Sequence, residues 1–289
     1  MQILQVLEQN SLFFLTSIAL LGLLVGSFLN VVIYRLPLMM QRSWLYECQT
    51  FLEQDLDSPK EAFNLSQPRS RCPSCQHLIS AKENIPVISY LFLKGRCMHC
   101  NASISIRYPI IEVITAALSV ATACHFGISI QTIYALFFVW VLICLSLIDF
   151  DTQLLPDNIT LPLLWLGLFA SLFNVFVSPT DAIIGALAGY LSLWSVYWLF
   201  KILTGKEGMG HGDFKLLAAI GAFLGWQILP LVIMLSAFIG AVVGILLIVF
   251  KRHNKDLAIP FGPYLSIAAL IALFYGLQIN GWYLAFSGL

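Results

Sequence analysis

Apolar runs recur along the chain at about 11–34, 109–126, 130–148, 158–178, 182–203, 216–228, 229–250 and 259–280, with one long polar segment among them. Most approach the ~20 residues a helix needs to cross a bilayer, and 216–228 is short. Backbone groups in lipid must be satisfied within a helix or a closed barrel, and the alternating pattern of barrel strands is absent. The pattern therefore predicts an all-α polytopic membrane protein of about eight transmembrane helices. Its expected divisions are a first transmembrane helix at 1–34, a cytoplasmic insert at 35–107 and a seven-helix membrane unit at 108–289. Glu8 is the only charge before the first run, which also lacks a small-residue cleavage site, so a retained helix is expected and not a removed signal peptide.

Composition agrees: 59% of the residues are hydrophobic and 10% charged, against about 25% charged in soluble domains. The net charge is zero, which offers nothing to nucleic acid. Placement of the charges says more. Nine of the fifteen basic residues lie between Arg35 and Arg107, and the others are Lys201, Lys206, Lys215, Lys251, Arg252 and Lys255. With eight alternating spans and a cytoplasmic insert, all fifteen fall on or near one face, as the positive-inside rule asks. Glu8 and Asp181 are then among the few outward charges, and Arg35, Lys201, Lys251 and Arg252 read as snorkelling anchors. The loops 149–157 and 201–213 share the basic face, so their carboxylates can meet.

The polar segment carries Cys72-Pro73-Ser74-Cys75 and Cys97-Met98-His99-Cys100. Two CxxC turns about twenty residues apart are the spacing of a tetrahedral four-thiolate zinc site, and a reducing cytoplasm disfavours the disulfide alternative. Few large apolar residues surround them, so a closed, structural zinc site would replace much of a missing core. His77 and His99 are further candidate ligands, but four cysteines suffice. Cys48, Cys124 and Cys144 are isolated.

Acidic groups at the rim of a membrane are costly and draw attention. Asp149 and Asp151 end one apolar run, Asp157 opens the next, and Asp213 lies in Gly208-Met209-Gly210-His211-Gly212-Asp213-Phe214-Lys215. Two carboxylates held together share a proton, which lets one activate a water while the other polarises a carbonyl. Glycines beside Asp213, among them Gly210 and Gly212, would admit an extended backbone close to the acid. Spacing does not choose among Asp149, Asp151 and Asp157. Asp157, after Pro156, also fits a helix cap. Lys215 reads either as a group tuning the pair or as an anchor, His211 as a loop residue, and Glu112 either as a functional intramembrane acid or as a partner of Arg107. Asn30 fits interhelical packing or hydrogen bonding.

Six segments in order resemble the bacterial type IV prepilin peptidases, a branch of the GxGD intramembrane aspartyl proteases. They are Gly26 to Val32 with Arg35, the two CxxC pairs, Arg107-Tyr108-Pro109 with Glu112, Asp149 to Asp157, Gly208 to Lys215, and Ile259 to Pro263. The resemblance implies a catalytic pair of Asp149 and Asp213, and substrates that are prepilins or pseudopilins, cut at the cytoplasmic face of a bacterial inner membrane. It also implies methylation of the new amino terminus from S-adenosylmethionine, although no GxGxxG after a predicted strand marks a site for that cofactor. Rival readings are a transporter with an ion- or proton-binding aspartate pair, a zinc protease and a structural assembly protein. The acids cluster at one face, not at midplane, no repeat is evident, and no HExxH occurs.

Overall fold

A computed structural model of the chain describes residues 10–52, 63–251 and 260–287. Glu8, Arg252, Lys255 and Ile259, which the sequence reading used for orientation and for the last motif, lie outside the described residues. Every extended regular element among the described residues is a helix: α1 (Ser11–Phe51), α2 (Ile88–Phe92), α3 (Arg107–Phe126), α4 (Ile130–Thr152), α5 (Asp157–Ser171), α6 (Pro179–Thr204), α7 (His211–Leu224), α8 (Leu229–Lys251) and α9 (Gly262–Ser287). The chain divides into two units, residues 1–128 and 129–289.

In the first unit, α1 begins under an Asn10 cap, whose side chain accepts the Phe13 N–H at 3.1 Å. It runs 41 residues, or about 60 Å at 1.5 Å per residue, roughly twice a hydrocarbon core. The helix thus continues well past the expected boundary at 34. The residues from Met39 to Phe51 hold few helix breakers, and Ser43 adds a 3.1 Å bond to Glu47 one turn on. Gly22 and Gly26 let α3 approach closely: a Cβ at either would come within 2.7 Å of Ala116 Cα or Glu112 Cα. This is the small-xxx-small packing that membrane helices favour. Asn30 spans the same interface, donating to Tyr108 O at 3.2 Å.

Arg35 departs from the expected anchor. It is buried, and its guanidinium donates to the carbonyls of Asn64 (3.0 Å) and Pro68 (2.7 Å). A guanidinium offers five donors in a fixed fork, so it ties this polar stretch to α1 where a lysine could not.

In the second unit, α7 is the element the others surround. Asp213, Phe214 and all of Leu216–Phe223 are buried, and α5 and α6 pack against it. A stretch apolar all round, as Leu216–Leu224 is, needs such an enclosure. Gly185 and Gly189 of α6 meet Gly221 and Leu217 of α7 backbone to backbone.

Five helices are long and apolar enough to cross a membrane: α1, α3, α4, α6 and the stretch Trp226–Leu247, in which a 3-10 turn leads into α8. Each of the eight expected apolar runs contains a helix, but 158–178 is helical only to Ser171 and 216–228 breaks at Gly225. Of these helices, α5 has 15 residues and α7 has 14, fewer than the ~20 of a crossing. Large apolar side chains point outward on several helices, such as Leu20, Leu24, Phe28, Ile184, Leu187, Leu191 and Phe238. In water that surface would aggregate; in lipid it is the solvated face. The protein is an all-α membrane protein.

Candidate active site and thiolate cluster

The second unit brings two carboxylates into its interior. Asp149 lies in the last turn of α4, where Gln153 ends the helix in a left-handed conformation and donates its N–H to Asp149 O at 2.8 Å. Asp213 lies in the first turn of α7, behind Gly210 as the extended N-cap. The two are 5% and 6% exposed, and the charge of Asp149 acts directly on Asp213. Opposite ends of two helices thus deliver two acids to the interior of this unit, and neighbouring carboxylates cannot both stay ionised without compensation.

Compensation for Asp149 comes from the backbone. Gly262 N–H donates to its Oδ2 at 2.9 Å, so the carboxylate caps the positive end of α9. A Cβ at Gly262 would lie 2.7 Å from that oxygen, so only glycine permits the contact. Asp213 differs: its Oδ1 is buried with no hydrogen-bond partner among the described residues. Ser266 Oγ, one turn along α9 from Gly262, is likewise buried without a partner among them. Buried polar atoms are nearly always satisfied, so each unmatched oxygen marks a place where water or substrate belongs.

The neighbouring acids separate cleanly. Asp151 is exposed. Asp157 opens α5 but does not cap it, since Pro156 holds the cap position. Instead Asp157 receives Lys215 Nζ at 2.7 Å on each oxygen. Lys215 is thereby engaged with Asp157, tying α7 to α5 beside the pair. The two glycines near Asp213 also have different duties. Gly210 is exposed, and a Cβ there would lie 3.8 Å from Asp213 Oδ2, on open ground in front of the acid. Gly212 packs on Leu155, which a Cβ would meet at 2.6 Å. His211 is the first residue of α7 and not part of a loop, and its ring packs on Tyr197 and Phe214.

The first unit gathers Cys72, Cys75, Cys97 and Cys100, with all four Sγ atoms within 4.8 Å of one another. Sγ–Sγ separations are 3.8 Å for Cys72–Cys100 and 4.0 Å for Cys75–Cys97. A tetrahedron with Zn–S of about 2.3 Å has edges of about 3.8 Å, so the donor set and its spacing fit zinc. Each half is the same small motif. Cys72 N–H bonds to His77 O and Cys97 N–H to Ala102 O, while Gln76 and Asn101 turn back with φ of 58° and 57°. Isolated bridges Arg71–Leu78 and Arg96–Ser103 flank the turns. The N–H groups of Cys75 and Ser74 pull the Cys72 thiol down to about 6, and those of Cys100 and His99 lower Cys97. The first cysteine of each turn therefore favours the thiolate, the form that binds metal. Cys75, against the lowering effect of the His77 N–H, is pushed up to about 12, with burial and its bonds to the neighbouring thiols Cys100, Cys72 and Cys97 raising it. Cys48 and Cys124 are exposed and Cys144 is buried, all apart from the cluster.

Glu112, also in this unit, is 7% exposed within α3. Its Oε2 accepts the N–H of Val87 at 2.7 Å, and the Ser27 hydroxyl bonds to the same carboxylate. Sequence reading did not foresee three features: the Gly262 contact, the Arg35 carbonyl clamp and the glycine seams. The glycine seams do have a signal, namely glycines four apart in apolar runs at 22/26 and 185/189.

Two family models match in tandem: the bacterial peptidase A24 N-terminal domain over residues 20–126, and the type IV leader peptidase family over residues 136–245. The relatives found include three proteins named prepilin leader peptidase/N-methyltransferase. That of Stutzerimonas stutzeri is 54% identical over 283 residues, covering 98% of each chain. That of Pseudomonas aeruginosa is 52% identical over 288 residues, covering 100% of this chain and 99% of the relative. That of Legionella pneumophila is 46% identical over 269 residues, covering 93% and 94%. No solved structure matches. With buried aspartates at the ends of α4 and α7, a four-thiolate cluster in the matched N-terminal domain, and likeness along the whole chain, the protein belongs to the type IV leader peptidase family.

Proposed function

We propose that this chain is a membrane aspartyl endopeptidase that removes the leader of type IV prepilins or pseudopilins and methylates the new amino terminus. The carrying observation is the asymmetric pair in the second unit: Asp149 anchored by Gly262 N–H, Asp213 with an unmatched oxygen. Asp149 acts as the ionised base, because the Gly262 N–H and the α9 terminus favour a carboxylate there. It takes a proton from water as the oxygen attacks the scissile carbonyl carbon. Asp213 enters protonated and donates to the carbonyl oxygen as the tetrahedral centre forms. Collapse breaks the C–N bond: the proton held on Asp149 passes to the departing amine, and one hydroxyl of the tetrahedral centre returns its proton to Asp213 as the carbonyl re-forms. Gly210 leaves room for the substrate backbone beside Asp213, Gly212 holds α7 against Leu155, and Lys215 with Asp157 fixes the neighbouring strap.

The reading extends to place and cofactors. The protein resides in a bacterial inner membrane and crosses it about eight times, with the basic segments and the aspartate pair at the cytoplasmic face. The expected divisions at 1–34, 35–107 and 108–289 are kept as functional ones, with α1 continuing from the first into the second. Cys72, Cys75, Cys97 and Cys100 hold a structural zinc ion that replaces a hydrophobic core in the insert. S-adenosylmethionine, when bound, supplies an electrophilic methyl group for the new amine.

A direct test incubates the purified, detergent-solubilised protein with a prepilin-type substrate. Leader release is expected from wild type, with Asp149→Ala and Asp213→Ala slower by about 10²- to 10⁴-fold or more. An uncut substrate, together with cation flux through proteoliposomes that Asp213→Ala abolishes, would replace the peptidase with a transporter.

A further inference from the structure

The methyl-transfer half of the proposed function still needs a place for its donor, and the aspartate site offers none of the usual nucleotide recognition. The first unit contains a cavity of about 460 Å³, within the ~300–1,000 Å³ of small-molecule sites. Its wall includes Ser27, Asn30, Tyr34, Tyr90, Tyr108 and Glu112. Here two membrane helices meet the polar insert, and a buried carboxylate stands among hydroxyls, an amide and three phenol rings.

Two observations indicate that this wall is built for a ligand. Glu112 accepts the Val87 N–H and the Ser27 hydroxyl, while a carboxylate has about four acceptor positions in all. Acceptor capacity therefore remains at the cavity. Val87 itself stands at φ 60°, ψ −49°, a conformation a β-branched residue rarely adopts. Strain of that kind collects at ligand clamps, where the surroundings enforce it. The Val87 N–H is held in this conformation by the same carboxylate that lines the cavity.

We infer that this cavity binds S-adenosylmethionine, with Glu112 accepting from the ribose hydroxyls and the tyrosine rings flanking adenine and the sulfonium. Carboxylates take ribose diols in dinucleotide sites for the same reason: two acceptor oxygens match two adjacent donors. Aromatic faces attract a cation and stack on a purine. The inference rests on the methyltransferase reading, but not on the assignment of the aspartate pair. The wall also includes Cys72 and Cys97, so the thiolate cluster and the cofactor site share one structural support.

The test is equilibrium binding of radiolabelled S-adenosylmethionine, and of S-adenosylhomocysteine, to the full-length protein in detergent. Wild type is compared with Glu112→Gln and with Ser89→Trp, which fills the cavity from α2. Glu112→Gln should weaken binding about tenfold to a hundredfold, the loss of one charge-assisted contact, and Ser89→Trp should abolish it. In Ser89→Trp, leader cleavage and bound zinc should stay at wild-type levels while methylation disappears. Wild-type affinity in both variants, with cleavage and methylation intact, would overturn the inference and leave the proposed function standing. Loss of binding together with loss of zinc and cleavage in both variants would also overturn it, assigning the cavity a purely structural role. Tight binding by a wild-type protein that cuts nothing would instead remove the peptidase reading and keep this site.

Discussion

Gly262 sets what Asp149 can do. Its N–H donates to Oδ2 at 2.9 Å, and the missing Cβ is what allows that approach. Gly262→Ala should shift the carboxylate by a fraction of an ångström to an ångström and lower kcat/KM for leader cleavage by about 10²-fold. Circular dichroism and thermal unfolding should change little; a fully active Gly262→Ala protein would remove the contact from the mechanism. The Lys215–Asp157 pair belongs to a different class. Half of Asp157's side chain is exposed, so the pair contributes at most about 1 kcal/mol after screening. Lys215→Met should keep cleavage within about tenfold of wild type, as measured by initial rates, whereas a loss as deep as that of Asp213→Ala would mean Lys215 touches the reacting groups. At this scale the sequence spoke unevenly. Asp213 stood out because glycines surround one acid at the start of an apolar run. Asp149 did not stand out from Asp151 and Asp157, because only burial distinguishes them, and burial is set by neighbours 113 positions away such as Gly262.

Among the elements, α7 is the one whose neighbours decide everything. It is too short to be a conventional crossing, apolar on every side from Leu216 on, and packed against α5, α6, α8 and α9. Short or irregular segments survive at membrane depth only when protein covers them. The α6–α7 seam makes that cover possible, because Gly185 and Gly221 place backbone against backbone. Gly221→Val should force the two helices apart, costing about 1–3 kcal/mol or more through overpacking. It should lower the unfolding temperature and abolish cleavage together, since Asp213 rides on α7. A Gly221→Val protein with unchanged thermal stability would contradict this packing. Hydrophobic runs were legible here, and each of the eight holds a helix, although 158–178 and 216–228 are helical only in part. Their ends were not: α1 runs through Pro37 and continues to Phe51 because the residues after Met40 hold no glycine or proline although they turn polar. Polarity marks where a helix leaves lipid, not where it stops.

On the scale of the whole molecule, the chain carries two kinds of stabilisation in its two units. The second unit is held by apolar burial, with Phe138, Leu142, Phe214, Leu217 and Phe223 among its fully buried side chains. The stretch from Phe63 to Ile106 in the first unit has little of this, and Cys72 and Cys97 are its buried side chains. Metal should therefore matter to one unit far more than to the other. Chelation, or Cys72→Ser with Cys75→Ser, should release about one zinc per chain and open residues 63–106 to limited proteolysis. The helices of the second unit should resist under the same conditions. Unchanged zinc content in the double variant would contradict a four-thiolate site. The cluster was legible because CxxC spacing is local and chemically narrow. The cavity beside Glu112 was not, since its wall combines α1, α3 and the insert.

The central claim is that Asp149 and Asp213 together cut a prepilin-type leader, and intact-mass spectrometry of the substrate tests it most directly. Wild-type protein should yield the mature chain without its leader, carrying one added methyl group when S-adenosylmethionine is present, while Asp213→Ala and Asp149→Ala leave the substrate whole. Leader removal by a folded Asp213→Ala protein at the wild-type rate would contradict the account.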